Sequence, residues 1–261
     1  MSAALPGLLG WWAAGLRVGL IAVFAVVLAA ASIYWYGERI VAGLVGAEEL
    51  PRGELPVVRS TIERLAARGG IAPPKVYIVR DGFPRAWAAG RGPVGSAVGV
   101  SQGLIQALPP AELDGVLAHE IAHIRTRDVT VATPAVVVAA ALVELSRVGG
   151  FASRALLFVL GPIASAIVNA LLSPRREFMA DALAASTCES PHGLADALLR
   201  LEQASELVEL RANPATAPLY TLDPFPERGL PALFATQPPP GERIARLRAL
   251  DPEWRERVRA A

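Results

Sequence analysis

The chain has 261 residues, 53% hydrophobic and 19% charged, with a mean hydropathy of +0.40. Intrinsic disorder is excluded, since it needs low hydrophobicity and high net charge. With 25 Lys and Arg against 24 Asp and Glu, the net charge of +1 gives no reason to expect nucleic acid as a partner. A soluble domain carries about 25% charge, so the apolar surplus points to a lipid bilayer, and the single Cys188 excludes an internal disulfide.

Residues 1–17 form an N-terminal segment. Val18–Tyr36 follows with no charge between Arg17 and Glu38, long enough to cross a bilayer as a helix. Tyr34, Trp35 and Tyr36 close it with an aromatic belt, and Trp11 and Trp12 suit the opposite interface. A cleaved signal peptide is the competing reading, but the apolar run exceeds a usual h-region and lacks a basic n-region. Leu55–Arg68 has helical spacing and a stop at Gly69-Gly70; Lys75–Val79 reads as a strand. Ala86–Ala89 and Gly95–Ser101 read as short strands joined through Gly90-Arg91-Gly92-Pro93. Pro110 opens a helix, Ala111–Asp128, whose early Glu112 and Asp114 suit its N-terminal dipole.

Val129–Leu145 and Ala155–Leu172 are two apolar segments joined by the short Ser146–Arg154 link, and they predict a helical hairpin of two further membrane helices. Each is slightly short, and Pro134 and Pro162 would kink them, so buried core helices are the alternative. Further helices are predicted from near Pro174, over Gly193–Arg211 and over Gly241–Leu250, with a proline-rich loop at Asn213–Pro240. The fold class expected is mainly α with a small β-sheet (α+β), residues 38–128 and 173–261 being two parts of one domain around the 129–172 hairpin. Arg39, Arg52, Arg125, Arg127, Arg175 and Arg176 would lie on one side of the membrane, and Arg17, Arg147 and Arg154 on the other. Positive residues favour the cytoplasm, so a multi-pass protein of the cell membrane is expected, its larger part cytoplasmic.

The chemistry is concentrated in His119-Glu120-Ile121-Ala122-His123. Two histidines four apart on a helix differ by about 40° around the axis, so both imidazoles reach one point. Zn²⁺ takes such nitrogens and, in catalytic sites, keeps a position open for water, from which Glu120 can take a proton. A third ligand is required. Glu177, in Arg175-Arg176-Glu177-Phe178-Met179-Ala180-Asp181, is preferred over His192, which reads as a loop residue. On a helix Glu177 and Asp181 share a face, so the first can bind metal while the second fixes the tautomer of a ligand histidine. Asp128, at the end of this helix, reads as structural, a partner behind a metal ligand being the alternative, and Cys188 reads as a small buried residue.

From about Pro73 to Leu250 the chain resembles the HtpX-type membrane zinc metalloproteases, relatives of the CAAX prenyl endopeptidases. The residues that carry the resemblance are Pro84–Pro93, the block Ala97–Asp128, the paired apolar segments, Arg175–Asp181 and Ala235–Leu250. It implies a zincin-like protease domain, zinc on His119, His123 and Glu177, Glu120 as general base and Asp181 as partner of a ligand histidine. It also implies a strand, Ala86-Trp87-Ala88, that pairs with extended substrate, either at the Trp87 edge or against the Val98 strand. The polypeptide substrates implied are misfolded or damaged membrane proteins.

Two departures stand out. The family's Asn-Ala-Phe-Ala is here Arg85-Ala86-Trp87-Ala88, and its late His-Pro, whose histidine helps stabilise the oxyanion, is Gln237-Pro238. Gln237 retains one donor without positive charge, and Arg243, matching the family arginine of the ERI segment, is the candidate to compensate; an ordinary surface arginine is the alternative. Arg85 and Gln237 also motivate a rival reading, a catalytically weak membrane scaffold or chaperone. A CAAX-type prenyl protease fits less well, because the chain has few spans for a large intramembrane chamber. The family has two N-terminal spans where one is found here, and oligomeric state is not legible.

Overall fold

A computed structural model describes residues 15–148, 173–205, 214–222 and 237–251. The N-terminal segment up to residue 14, the second apolar segment Ala155–Leu172, the tail of the predicted Gly193–Arg211 helix and most of the Asn213–Pro240 loop lie outside them.

Helix α1, Leu16–Leu44, begins two residues before the predicted span and runs eight residues beyond its end. Its first part leaves Leu20, Ile21, Phe24 and Leu28 exposed. Leu16 to Tyr36 covers about 30 Å at 1.5 Å per residue, which matches the hydrocarbon layer. Beyond the aromatic belt the same helix passes from an exposed apolar surface into protein core: Gly37, Glu38, Val41 and Ala42 are buried. Gly37 permits this, because a Cβ there would lie 2.6 Å from the Thr133 methyl.

Four strands follow: β1 (Glu48–Glu49), β2 (Lys75–Val79), β3 (Ala86–Gly90) and β4 (Ser96–Ser101). They form a mixed sheet of order β1-β2-β4-β3, with β2 parallel to β4 and the other pairs antiparallel. Strand alternation makes both faces apolar. Val76, Ile78, Ala86, Ala88, Val98 and Val100 face one core, built with α2 (Pro56–Arg68), α3 (Gln102–Ala107) and α4 (Pro110–Arg125). Tyr77, Val79, Trp87, Ala89 and Ala97 face a second core, completed by the end of α1 and by α5 (Val129–Val148). Trp87 pairs in register with Gly99, and its indole occupies the space that a Gly99 side chain would need.

The predicted helix over Ala111–Asp128 stops at Arg125. Arg127 takes a left-handed φ of 63°, and α5 leaves at 94° to α4. α5, the first half of the predicted hairpin, buries Val136, Ala139, Ala140 and Val143 and leaves Val138 exposed. The last helices, α6 (Pro174–Cys188), α7 (His192–Ser205) and α8 (Pro240–Ala249), close around α4, with a 3-10 turn at Pro214–Leu219. α4 and α7 approach closely at Gly115, where a Cβ would meet the Leu194 backbone nitrogen at 2.5 Å. Neither β1 nor α3 was expected, and both are too short to show a period.

Candidate metal centre

Because α4 runs through the middle of the domain, most of its residues are buried, His119 and Glu120 among them, while His123 is half-buried. One turn apart, the two imidazoles bring their Nε2 atoms to 3.1 Å. α6 packs on α4 and delivers Glu177 from its first turn. Oε2 lies 3.4 Å from His119 Nε2, and Oε1 lies 3.6 Å from His123 Nε2.

Each histidine has a carboxylate behind it. Asp181 Oδ1 is 3.0 Å from His119 Nδ1, and Asp128 Oδ2 is 3.1 Å from His123 Nδ1. A ring that donates Nδ1–H to its carboxylate can turn an Nε2 lone pair toward Glu177 once Nε2 has lost any proton of its own. Each carboxylate is in turn gripped by an arginine. Arg243 donates to Asp181 through Nε (2.9 Å) and Nη2 (2.7 Å). Arg176 holds Asp128 Oδ1 through Nε (2.7 Å) and Nη2 (2.6 Å).

Burial would raise the Glu177 carboxyl, but His123, His119 and Arg243 override it and hold the group near about 2. Asp128 is likewise held at about 2, burial being outweighed by His123, Thr126 and Arg176. Asp181 is held well below the carboxylate range by Arg243 and His119 against the same burial. Burial would lower His119, yet the carboxylates of Asp181 and Glu177 beside it push it up to about 9. Arg243 and Arg176 balance Asp181 and Asp128, so the Glu177 carboxylate is left to the His119 proton or to a cation that takes that proton's place.

The donor set meets the requirements of a divalent metal. A tetrahedral ion bound at about 2.0–2.1 Å sets ligand–ligand edges of about 3.3 Å, against separations here of 3.1, 3.4 and 3.6 Å. Glu177 Oε2 is buried and has no hydrogen-bond partner, as a ligand oxygen awaiting its ion should be. Among the described residues His119, His123 and Glu177 are the group able to hold a metal.

Glu120 opens onto the same cleft, walled by Ala88, His123, Glu177, Leu219 and Tyr220. Burial raises its carboxyl against the opposing pull of both histidines and of Thr221. Thr221 Oγ1 donates to Glu120 Oε1 at 2.6 Å, and Arg243 Nη1 donates to the Thr221 carbonyl at 2.6 Å.

Several expected roles need correction. Val98 lies on β4, paired on both sides by β2 and β3, so it has no free edge for a substrate. Trp87 is on the edge strand, but its side chain is fully buried in the second core, and its backbone already bridges Tyr220. Ala86 and Ala88 turn to the α4 side of the sheet, and Ala88 alone of this strand reaches the cleft wall. Gln237 is not a free donor: its amide nitrogen donates to the Tyr220 carbonyl. Arg243 is neither a surface residue nor an oxyanion donor, since it is 0% exposed and its guanidinium is engaged by Asp181 and Thr221. Asp128, read as structural, is the carboxylate behind His123. Arg85 is buried, bonded to Asp81 at 2.7 Å beside the Tyr220 ring. His192 faces Asp251 at 3.3 Å. Cys188 is a thiol pushed up to about 11 by burial.

Thr221 and Arg176 had no sequence signal of their own. Thr221 sits in a proline-rich stretch with no period, and Arg176 is one arginine of a pair.

Residues 54–251 match the model of peptidase family M48. The chain is 39% identical over 224 residues to a protein of Salinibacter ruber named protease HtpX homolog, covering 82% of this chain and 81% of that one. A protein of the same name from Acidiphilium cryptum is 37% identical over 260 residues, covering 92% and 90%. Among solved structures, S. mikatae Ste24p aligns with a TM-score of 0.51 and 19% identity over 94% of this chain; the chain spans 61% of that protein's length.

Proposed function

The chain belongs to peptidase family M48, and from that premise we propose that it is a membrane-bound zinc endopeptidase acting on misfolded or damaged membrane proteins. His119, His123 and Glu177 would hold the zinc, which when bound supplies Lewis acidity for the scissile carbonyl and acidifies water. Glu120 takes a proton from the attacking water on Oε2, the oxygen left free by Thr221, and returns it to the leaving amine. Burial raises the Glu120 carboxyl, which suits a group that must both accept and give up a proton. Substrate would lie extended along the β3 edge at Ala88, where backbone groups give affinity independent of sequence. That edge is bridged by Tyr220, so substrate would displace the Tyr220 segment.

For topology, we read α1 as one span, the 129–172 hairpin as two more, and residues 38–128 and 173–261 as one cytoplasmic protease unit. The scaffold alternative loses its motive at Arg85, which is bonded to Asp81, and keeps it at Gln237, whose amide is taken by the Tyr220 carbonyl.

The observation that carries the reading is the convergence of three ligand atoms, both histidines fixed from behind by carboxylates, beside a buried glutamate in an open cleft. Glu120→Gln tests it. The variant is expected to bind zinc like wild type and to lose cleavage of casein and of a membrane substrate. Unchanged turnover would remove Glu120 from the mechanism.

A further inference from the structure

A second cavity, of about 310 Å³, lies between α1 and α5 under the β3–β4 turn. Its walls are mostly apolar: Ala30 and Ile33 from α1, Pro134 and Val138 from α5. It holds on the order of ten methylene-sized groups if each takes roughly the 30 Å³ of a water molecule. Its level is fixed by the helix beside it. Ala30 to Ile33 are the last turn before the aromatic belt, which begins at Tyr34, so the cavity floor lies in the hydrocarbon layer and its rim at the headgroups.

The rim is built for an anion. Arg91 stands over Trp35 at 4.1 Å and Tyr34 at 5.8 Å from the ring centroids, and no carboxylate among the described residues pairs with it. Gly95 lets that side chain lie across the turn, since a Cβ there would collide with the guanidinium. Thr130, also on the wall, has a buried hydroxyl with no hydrogen-bond partner, whereas the neighbouring Thr133 hydroxyl is used by the Gly90 amide at 2.8 Å. An unpaired cation, an unpaired hydroxyl and an apolar floor at one membrane depth are complementary to one kind of molecule.

We propose that this cavity binds an anionic phospholipid of the leaflet adjoining the protease domain, its phosphate on Arg91 and an acyl chain between α1 and α5. The site lies apart from the metal centre and shares none of its residues. It rests on the reading that Leu16–Tyr36 lies in a bilayer.

The test uses the full chain, extracted in detergent and reconstituted in nanodiscs, with phosphatidylglycerol carrying brominated acyl chains as probe and brominated phosphatidylcholine as control. Bromine quenches nearby tryptophan, and the difference between wild type and Trp35→Phe isolates the Trp35 signal. Wild type is expected to prefer phosphatidylglycerol about fivefold, the effect of one basic residue at a membrane surface. Arg91→Gln should abolish the preference and Arg91→Lys should keep most of it. Ala30→Trp should weaken Trp35 quenching by both lipids, while zinc content and casein cleavage stay unchanged in all three. Equal quenching of wild type by the two lipids, or a preference that survives Arg91→Gln, overturns the proposal. So does Trp35 quenching unaffected by Ala30→Trp, which would leave the cleft to a neighbouring helix or a substrate side chain. A carbonate wash separates the two failures: a chain that stays in the membrane without selecting phosphatidylglycerol sinks the lipid site alone, and one that is released sinks the membrane reading itself.

Discussion

Replacing Arg243 by Met should damage the fold more than any surface change and should do so before metal enters the question. Arg243 is 0% exposed, and its fork holds Asp181 at 2.9 and 2.7 Å while Nη1 caps the Thr221 carbonyl at 2.6 Å. Methionine fills similar volume but leaves a buried carboxylate with only His119 to answer it. Removing one partner of a buried pair costs about 3–5 kcal/mol. For a domain of this size about 1 kcal/mol moves the midpoint by roughly 2–4 °C, so the melting temperature should fall by about 6–20 °C. The assay is thermal unfolding of chelator-treated protein in detergent, followed by near-UV circular dichroism. Chelation separates the ion pair from the stabilisation that a bound metal adds. Arg243→Met with Asp181→Asn should recover much of the loss, because the stranded charge goes too. A single variant melting within 3 °C of wild type would show that the guanidinium is replaceable packing, and the reasoning about the pair would be wrong.

Three other outcomes are expected. Asp128→Asn should weaken zinc binding about 10–100-fold, the usual cost of losing the group behind a ligand histidine, measured by competition with a chromophoric chelator; unchanged affinity would return Asp128 to a structural role. Thr221→Val should lower kcat about 10–100-fold, since it removes a hydrogen bond to a charged group worth about 1.5–3 kcal/mol, with KM nearly constant, and Thr221→Ser should restore it. Zinc affinity should fall about tenfold per pH unit from about 9 toward 7, because His119, ordinarily near 6.5, is pushed up to about 9 and its proton must leave for the metal. The sign for stability follows: in the ion-free protein this raised histidine stabilises the fold fully below about pH 6.5, and the contribution vanishes as pH rises through about 9. A flat affinity between pH 7 and 9 would refute the assignment.

Where the sequence was legible, a local period made it so. Lys75–Val79 and the start of α6 at Pro174 were found at their observed positions, and the pairing of His119 with His123 needs only the pitch of one helix. Glu177 required knowledge that α6 packs on α4, which no spacing within either helix contains. Asp128 shows why a residue can be misread even inside the motif. On a continuing helix it would sit about 140° round from His123, five residues on. The left-handed Arg127 ends α4 early and turns Asp128 back, so its carboxylate reaches the ring. The Tyr220 segment was opaque for the opposite reason: it has neither helical nor strand period, and its place beside β3 comes from tertiary packing of Ala215, Ala217, Leu219 and Tyr220 in the second core and from a bridge to Trp87. The length of α1 was underestimated because hydropathy marks where the continuous apolar run ends, whereas helix α1 continues to Leu44 as protein packs around it.

The two carboxylate–arginine pairs are alike in chemistry and different in solvation, and that difference orients the centre. Asp181 and Arg243 are sealed at the junction of α4, α6 and α8, where every polar atom of the fork is spoken for. Asp128 and Arg176 line the cleft that Glu120 opens onto, and both keep part of their side chains in contact with solvent. An interaction of this kind strengthens with burial and weakens as water reaches it. His119 is therefore clamped, while His123 is held by a pair that a ligand in the cleft can loosen or tighten. On the proposed function, any adjustment during peptide binding would fall on the His123 side, next to the Tyr220 segment, and the buried fork behind His119 would supply the fixed point.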